Sequence, residues 1–564
     1  MPSLLGVLLA IVFYALSLTP TLLPRRWWWQ AFVSGTLMGL GYVFGWTLEE
    51  GGAALFHLLN VTFSAPPEVT AWATWVVIAA VVGWALRLMY LSYGECQTSA
   101  HMQGMKPVGP GEYLLASAAS LLVFAFVMQV VYLIIRIFTL IVDLLENWVL
   151  TPIAVFIASV SIVMLVFFVS NKVVFKTGMA IFARKAAHLN TTSGDHYERP
   201  PMDERSGSAS SLSPWETIGG QGRKYLTKGP TAARISSVTG RPAVEPIRIY
   251  VGMPRQNADL QKLADQAIAE MDRTGAFDRS VILIITATGS GWVDEWSVQP
   301  LEYLTGGDCA VVTMQYSYLF SAALVASGVE VCAEAGTILF EAVEKRVKAM
   351  APEKRPLVIV SGESLGGYGS QDAFTDLDDL NARVDGALWV GSPHQSKLLR
   401  QLTDHRHKGS PQVAPVVDSG RHARFVNTPD QLDRDRYGRE LGTWEFPRTV
   451  FVQHASDPVV FFYPRIAFEE PDWIRERAGV DVSSSIRFTP FATFMQMFTD
   501  LPVAGTAPEG HGHTYHRELV DVWMRILGFD HPVAQGRVGQ TAWLTPQMKA
   551  AIGDAIDEDD SLDP

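Results

Sequence analysis

The sequence predicts a membrane protein in two parts. An N-terminal α-helical transmembrane domain of about five helices precedes a C-terminal α/β domain with a mostly parallel sheet. Apolar runs dominate residues 2–175, whereas the chain beyond residue 190 has the mixed composition of a soluble domain. In that second part, short apolar runs alternate with segments of helical periodicity, which is typical of a parallel sheet covered by helices. At 564 residues the chain also exceeds what one hydrophobic core usually organises.

Five apolar stretches account for the predicted transmembrane domain, since a crossing takes about 20 apolar residues. They lie at approximately 3–18, 30–46, 70–91, 113–135 and 148–170. The first two are short and can form a tight pair. Residues 51–63 are apolar but shorter still, which favours an interfacial or re-entrant segment. A cleaved signal peptide is the alternative for the first stretch, but no basic leader precedes it.

Basic residues between these stretches predict their orientation. Arg25 and Arg26 follow the first stretch, Lys172 and Lys176 follow the fifth, and the loop after the second stretch is acidic. By the positive-inside rule, the N-terminus faces outward and the C-terminal half lies in the cytoplasm.

Composition excludes several classes of function. The net charge of −12 argues against a nucleic-acid surface. The three cysteines are too few and too scattered for a disulfide framework or a zinc site. We therefore expect no metal, no cofactor and no nucleic-acid partner.

Changes in composition set the predicted domain boundaries. The transmembrane domain takes residues 1–175. Residues 176–244 form a juxtamembrane segment and flexible linker, because 190–230 is rich in Ser, Gly, Pro and charge. The catalytic domain covers 245–530, and a tail covers 531–564.

Two insertions, around 397–448 and 461–502, interrupt the catalytic domain. Insertions of this kind usually lie over the strand ends and shape a pocket. The second carries a cluster of Phe and Met, which lines an acyl-chain pocket, leans on the membrane, or packs as an ordinary amphipathic helix.

A serine lies at a sharp strand-to-helix turn. Predicted strands occupy 247–251, 281–285, 309–314, 357–360, 386–390 and 449–453. The fourth leads into S-G-E-S-L-G at 361–366, and a segment that can open a helix follows. Strand, Gly-x-Ser-x-Gly and helix is the context of a nucleophile elbow, in which Gly362 and Gly366 let the chain turn tightly around Ser364. The alternative is a glycine-rich turn without chemistry.

An activated serine needs a base, and the base needs an orienting acid, in the chain order Ser, Asp, His. Asp457 follows the last predicted strand, and a glycine-bearing loop before the final helix carries His511 and His513. We favour His513 as the base because it lies nearer the helix, with His511 as the alternative. His-x-His-x-x-His is also a conceivable metal site, but neighbouring carboxylate or thiolate ligands are lacking.

The oxyanion of an acyl-transfer intermediate needs two backbone N–H groups. One should come from Leu365, directly after the nucleophile. The other should come from the glycine-rich loop after the strand 281–285, at Thr288 or Gly289. No Gly-Lys-Ser/Thr follows these glycines, so a phosphate loop for nucleotides is not indicated.

With this serine, acid and base in order, residues 245–530 resemble the α/β-hydrolase superfamily. The helical N-terminus, together with G-S-G-W at 289–292 and G-E-S-L-G at 362–366, is similar to a family of bacterial membrane-anchored predicted serine hydrolases. The resemblance implies the fold, the nucleophile and a place in the bacterial inner (plasma) membrane, but no substrate. The two insertions depart from the simplest members of the superfamily.

We predict a membrane-anchored serine hydrolase that cleaves an ester or thioester of a lipid-like substrate through an acyl-enzyme. Its expected partners are the bilayer and an apolar acyl substrate, and the helical half allows an oligomer to form. The same serine in an acyltransferase is one alternative. A non-catalytic transport or scaffold protein with a hydrolase-like domain is the other, because five helices exceed what a tether needs.

Overall fold

The computed structural model describes residues 3–60, 66–168, 177–530 and 542–561. They divide into two compact units. The helical unit comprises Met1–Gly178, Pro464–Ile474 and Gly479–Pro508, and the sheet unit comprises Met179–Tyr463, Arg475–Ala478 and Glu509–Pro564, in each case over the described residues.

The helices of the described residues are, in chain order, α1 (Leu4–Ser17), α2 (Trp27–Leu58), α3 (Pro67–Met102), α4 (Pro110–Glu146), α5 (Thr151–Phe168), α6 (Gly178–Thr192), α7 (Gly220–Lys228), α8 (Ala232–Thr239), α9 (Leu260–Thr274), α10 (Gln299–Leu304), α11 (Ser321–Ser327), α12 (Glu330–Lys348), α13 (Leu365–Gln371), α14 (Leu377–Arg383), α15 (Lys397–Asp404), α16 (Pro458–Phe461), α17 (Asp472–Glu476), α18 (Ala492–Asp500), α19 (Glu518–Ile526) and α20 (Pro546–Ser561). The strands are β1 (Ile247–Val251), β2 (Val281–Thr286), β3 (Cys309–Met314), β4 (Leu357–Glu363), β5 (Gly386–Val390), β6 (Ala423–Val426) and β7 (Arg448–Val452).

The helical unit contains long apolar helices. Among the described residues, α2, α3, α4 and α5 each contain a stretch long and apolar enough to cross a membrane. The 14 residues of α1 are apolar too, but at 1.5 Å per residue they reach about 21 Å, short of the roughly 30 Å hydrocarbon core. The predicted helical N-terminus is confirmed, and its apolar helices indicate association with a membrane. Lys172 and Lys176, on which the predicted orientation partly depends, lie outside the described residues.

Glycines let α2 pack closely against two other helices. A Cβ on Gly45 would lie 2.5 Å from the backbone oxygen of Leu5 in α1, and one on Gly35 would lie 2.5 Å from that of Ser120 in α4. Small residues allow such close backbone approach between membrane helices. The helix also continues through 51–58, so the separate interfacial or re-entrant segment predicted at 51–63 is wrong over these residues; 61–63 lie outside the described ones.

The sheet unit is built on seven parallel strands in the order β1-β3-β2-β4-β5-β7-β6. One face packs on a core that includes α9, α12 and α13, and the other face packs on a core that includes α7, α10, α19 and α20. The predicted α/β fold with a mostly parallel sheet is confirmed. This arrangement brings the carboxyl ends of β2, β4, β5 and β7 to one edge, where the candidate residues lie.

The segment between α6 and β1 is folded into the sheet unit, although 176–244 was predicted to contain a flexible linker. The Arg205 guanidinium is buried and donates to the carbonyl of Leu226. Arg248 on β1 is buried as well, and it donates to the carbonyl of Tyr225. Buried donors and acceptors must be paired, so these hydrogen bonds fix a segment whose composition alone indicates a linker.

The insertions and the tail also differ from the predicted boundaries. Most of the second insertion, predicted at 461–502, belongs to the helical unit rather than to the catalytic domain, because that unit includes Pro464–Ile474 and Gly479–Pro508. The first insertion contributes β6, a strand that was not predicted. The predicted tail contains α20, whose Ile552 and Ile556 are fully buried in the core of the sheet unit.

Candidate active site

Ser364 lies at the turn between β4 and α13. Its φ of 52° and ψ of −124° are values that a residue with a side chain rarely adopts. Strain of this kind persists where the surroundings enforce it, and it is concentrated at functional sites. The Ser364 N–H donates to the carbonyl of Val390 at the end of β5, at 2.8 Å. The backbone of the predicted nucleophile is therefore held against the neighbouring strand.

The glycines on either side of the serine are required by close contacts. A Cβ on Gly362 would lie 2.4 Å from the carbonyl carbon of Gly366, and a Cβ on Gly366 would lie 2.2 Å from the backbone oxygen of Thr286. Both distances are shorter than any real Cβ contact, so larger residues would open the turn. The start of α13 is thereby packed against the end of β2, which leads into the loop predicted to hold the oxyanion.

The predicted acid and the favoured base are in direct contact. His513 Nδ1 donates to Asp457 Oδ2 at 2.6 Å, and the Asp457 side chain is fully buried. Asp457 also caps α16, because its Oδ1 accepts from the N–H of Val459 at 2.8 Å. A carboxylate that is fixed on both oxygens can hold an imidazole in one orientation and one tautomer.

The contact with Asp457 distinguishes His513 from His511 as the candidate base. Both lie in the turn at 510–514, but the ring that meets Asp457 is that of His513. A Cβ on Gly391 would lie 2.6 Å from His513 Cε1, so only glycine leaves room for this ring. Gly391 directly follows Val390, whose carbonyl accepts from Ser364. The nucleophile and the imidazole thus border the same two residues at the end of β5.

Tyr515 joins this arrangement and was not predicted. Its hydroxyl donates to Asp457 Oδ2 at 2.7 Å and accepts from the backbone N–H of His454 at 3.2 Å. The Gly512 N–H donates to Ser456 Oγ at 2.8 Å, which ties the histidine turn to the end of β7. No local pattern in the sequence singles out Tyr515, because its partners Asp457 and His454 lie 58 and 61 positions away.

His454 is a buried histidine behind the turn. Its Nδ1 faces the Gly512 carbonyl at 3.0 Å, and its Nε2 faces Glu518 Oε1 at 3.2 Å. A carbonyl and an ionised carboxylate both only accept hydrogen bonds, so both contacts are made at once only when the two ring nitrogens carry hydrogen. Burial raises the pKa of Glu518, but the hydrogen bond and charge of His454 outweigh it, and the net pKa is lowered. Sequence reasoning missed this pair, whose members lie 64 positions apart.

The oxyanion loop, residues 288–292, offers fewer donors than predicted. The Thr288 N–H donates to the Trp292 carbonyl at 2.9 Å, so Thr288 is corrected as a candidate donor. The Gly289 N–H meets Ser321 Oγ at 3.4 Å, a long contact that a better acceptor can replace. Leu365 is the first residue of α13, where an N–H has no acceptor within the helix. Leu365 and Gly289 remain the candidates for the two backbone N–H donors to the oxyanion.

Glu363, directly before Ser364, is a buried carboxyl beside a second carboxyl. Burial raises its pKa well above the usual range, and the charge and hydrogen bond of Asp294 raise it further. Asp294 Oδ2 in turn accepts from the Ser297 N–H at 2.9 Å. Two adjacent carboxyls cannot both ionise cheaply, so the folded protein favours the protonated form of Glu363 more than the unfolded chain does.

The histidines of the C-terminal loop do not gather around a common point. His513 contacts Asp457, whereas the ring of His516 stacks on Trp296 with centroids 5.2 Å apart. Over the described part of the chain, no group of three or more His, Cys, Asp and Glu side chains is arranged to hold a metal ion.

Comparison with known families agrees with this architecture. The family model described as "Alpha/beta-hydrolase family" matches residues 247–536, and the one described as "Alpha/beta-hydrolase family N-terminus" matches residues 18–230. No curated protein and no solved structure gives a significant match. The first model spans more than half of the 564 residues, and the chain therefore belongs to the alpha/beta-hydrolase family.

Proposed function

We propose that the protein is a serine hydrolase that cleaves an ester or thioester, with Ser364 as nucleophile, His513 as general base and Asp457 as the orienting acid. The observation that carries the proposal is the 2.6 Å hydrogen bond between His513 and Asp457. This hydrogen bond lies beside Val390 and Gly391, which also border the strained turn at Ser364.

The reaction follows from which atoms are engaged. Because His513 Nδ1 donates to Asp457, Nε2 is the nitrogen left to take the proton from Ser364 Oγ as that oxygen attacks the carbonyl carbon. The N–H groups of Leu365 and Gly289 donate to the oxygen of the tetrahedral intermediate. Collapse breaks the bond to the alcohol or thiol, which leaves with the proton from His513. Water, deprotonated by the same nitrogen, then releases the acid and restores Ser364.

An apolar acyl group suits a chain that is associated with a membrane. The chain carries four long apolar helices, which indicate association with a membrane, where acyl chains are concentrated. Phe320 is 48% exposed and directly precedes Ser321, whose Oγ meets the N–H of the oxyanion candidate Gly289. These features favour a lipid-like ester or thioester over a small polar one.

A fluorophosphonate probe tests the nucleophile directly, because it forms a covalent bond only with an activated serine. We expect the full chain in detergent to be labelled, and Ser364→Ala to be unlabelled while it unfolds at the wild-type temperature. A folded wild-type protein that resists the probe would refute the proposed mechanism and favour a non-catalytic transport or scaffold role.

The two histidines of the turn provide a matched pair of variants. We expect His513→Ala to lower kcat for a short-chain ester by a factor on the order of 10⁶, as triad members act as a unit. His511→Ala, two residues away, should keep most of the activity. Equal loss in both variants would indicate that the turn is needed only for folding. Adding an alcohol or amine acceptor to the same assay separates the hydrolase, which makes free acid, from an acyltransferase.

A further inference from the structure

Tyr515 presents its hydroxyl to the same carboxylate oxygen that His513 contacts. Asp457 Oδ2 accepts from His513 Nδ1 at 2.6 Å and from the Tyr515 hydroxyl at 2.7 Å. The other oxygen, Oδ1, accepts from the Val459 N–H at 2.8 Å. Asp457 and Tyr515 are both almost completely buried, where an anion depends on the donors around it. Three donors therefore share the negative charge of Asp457, and His513 faces only part of that charge.

The ring of Tyr515 is fixed by packing on several sides. It stacks on the ring of His454 with centroids 4.1 Å apart, and its plane lies at 84° to the ring of His513, with centroids 5.7 Å apart. A Cβ on Gly391 would lie 2.8 Å from Tyr515 Cε2. The hydroxyl also accepts from the His454 N–H at 3.2 Å. Rotation of the ring away from Asp457 would break these contacts, so the hydroxyl is held at the carboxylate.

The histidine on which Tyr515 stacks is itself tied to the turn that carries the candidate base. His454 Nδ1 lies 3.0 Å from the Gly512 carbonyl, and its Nε2 lies 3.2 Å from Glu518 Oε1. Gly512 directly precedes His513 in the sequence. Tyr515 is therefore connected to the acid through its hydroxyl and to the turn of the base through its ring.

The Tyr515 hydroxyl is a donor and not an anion. Burial raises the pKa of Tyr515 well above its usual range, and the charge and hydrogen bond of Asp457 raise it further. A protonated phenol that faces a carboxylate oxygen donates to it. Any buried tyrosine needs a partner for its hydroxyl, but the partner in this case is the residue that orients the candidate base.

We propose that Tyr515 is a positioning residue of the proposed triad, whose hydroxyl fixes Asp457 Oδ2 and weakens the attraction of this oxygen for a charged His513 ring. The inference rests on the proposed function, which assigns His513 as general base. A donor that disperses the charge of Asp457 makes the imidazolium less favourable, so His513 stays neutral, and able to take the proton of Ser364, at lower pH. Removal of the hydroxyl should have the opposite effect.

Other titratable groups also act on this arrangement. Glu363, at the end of β4, interacts electrostatically with both Asp457 and Tyr515, and Asp294 lies beside it. Glu518 of α19 contacts the imidazole ring that stacks on Tyr515. All of these groups are retained when only the hydroxyl is removed, so the difference between Tyr515→Phe and wild type measures the effect of the hydroxyl.

The rate of fluorophosphonate labelling, measured from about pH 5 to pH 9 with the full chain in detergent, tests this role. For wild type, the rate should rise to a plateau as His513 loses its proton. For Tyr515→Phe, we expect the midpoint of the rise to move up by roughly half a pH unit or more, as part of the tenfold or larger effect of a hydrogen bond to a charged group. The plateau rate should fall about tenfold, because Asp457 Oδ2 loses a donor that fixes it.

A tyrosine with a fluorinated ring at position 515 tests the same hydroxyl in the opposite direction. Its phenol is more acidic and donates more strongly, so the midpoint should move down. Tyr318→Phe is the matched control, because it removes a buried hydroxyl that donates to the Met253 carbonyl at 2.6 Å. Its midpoint should equal that of wild type.

A purely structural role would lower the unfolding temperature of Tyr515→Phe and leave the midpoint unchanged. Equal midpoints for wild type, Tyr515→Phe and the fluorinated protein would overturn the inference and leave the proposed function standing. A shift in Tyr318→Phe as large as that in Tyr515→Phe would overturn it too. A folded wild-type protein that is labelled at no pH would overturn the proposed function, and the inference with it.

Discussion

The insertions at 397–448 and 461–502 lie close together in sequence, but they join different units of the molecule. The first adds β6 to the edge of the sheet, pairing in parallel with β7. Most of the second packs with the apolar helices of the N-terminal half. A buried arginine contacts each insertion, Arg424 in the first and Arg25 at the second, and the two are balanced in different ways.

Arg424 of the first insertion is satisfied by its own neighbourhood. It donates to the carbonyls of Gly420 at 2.9 Å, of Gly442 at 2.7 Å and of Leu432, and its guanidinium lies 4.3 Å from the ring centroid of Trp444. Burial lowers its pKa to about 10. All these partners lie within 20 residues of Arg424, so this insertion organises itself around one cation.

The second insertion depends on a residue far away in sequence. Asp500 accepts from Arg25 Nε at 2.8 Å, and both side chains are almost completely buried within the helical unit. Asp500 also accepts from the Leu22 N–H at 3.1 Å, and Arg25 donates to the Gln496 carbonyl at 2.8 Å. In this chain, the buried cation with a buried counter-charge joins segments that are far apart in sequence. The buried cation that donates mainly to carbonyls fixes the conformation of the segment around it.

Asp500→Asn should give the largest loss of stability, because it keeps the shape of the side chain and leaves the buried charge of Arg25 without its counter-charge. Breaking one member of a buried pair costs about 3–5 kcal/mol. Thermal unfolding in detergent, with limited proteolysis mapped to Gly479–Pro508, measures the effect.

Glu469→Gln is the control for Asp500→Asn, since the Arg465–Glu469 pair of the same insertion is exposed and should contribute less than about 1 kcal/mol. Replacing both members, Arg25→Met with Asp500→Leu, should be less harmful than Asp500→Asn alone, because no uncompensated charge remains. If Asp500→Asn unfolds like the control, the pair does not hold the insertion.

Arg424→Met should cost less, about 2–3 kcal/mol, because it leaves buried carbonyls without donors but leaves no buried charge behind. The Asp433 carboxylate, 3.8 Å from the guanidinium, is 60% exposed and also pairs with Arg525. Proteolysis should then increase within 397–448 and not within the helical unit. Arg421→Met, in the exposed Arg421–Asp418 pair, should stay within about 0.5 kcal/mol of wild type. Increased cleavage of both units by Arg424→Met would show that the two insertions are not independent.

The parts of the fold that the sequence predicts well are those whose signal is local. The bounds of β3 and β5 agree with the prediction because each strand is a largely apolar run that directly follows an aspartate, Asp308 or Asp385. β6 was missed because Arg424 interrupts its four residues. The segment around Arg205 was taken for a linker because its partners lie more than 20 positions away.

The candidate site also has features that the local sequence predicts and features that depend on tertiary contacts. The order of Ser364, Asp457 and His513 is written in the sequence, but the choice between His513 and His511 depends on how Gly391 leaves room for one ring. The correction at Thr288 also needed the structure, since the glycine-rich sequence does not specify the local turn in which its N–H donates to the Trp292 carbonyl.

Glu363 is a third buried ionisable group, to be compared with Arg25 and Arg424. It is an acid that lies next to another carboxyl, whereas the other two are cations. Burial and the neighbouring Asp294 raise its pKa well above 4.5. The unfolded chain releases this proton near pH 4.5, whereas the folded chain keeps it. Stability from this group is therefore complete below about pH 4.5 and falls as the pH rises towards the folded pKa, by at most about 1.4 kcal/mol per pH unit.

Glu363→Gln should remove this pH dependence, because the amide has the shape of the protonated acid and does not ionise. The unfolding temperature of the variant should therefore rise relative to that of wild type between pH 5 and pH 8, and fluorophosphonate labelling of Ser364 should persist at neutral pH. Asp278→Asn serves as the control for removal of a carboxyl outside this pair. A difference in unfolding temperature that stays constant from pH 5 to pH 8 would mean that Glu363 is ionised in the folded protein. The folded protein would then hold a buried negative charge beside Ser364 without an arginine as counter-charge, in contrast to Asp500, which pairs with Arg25.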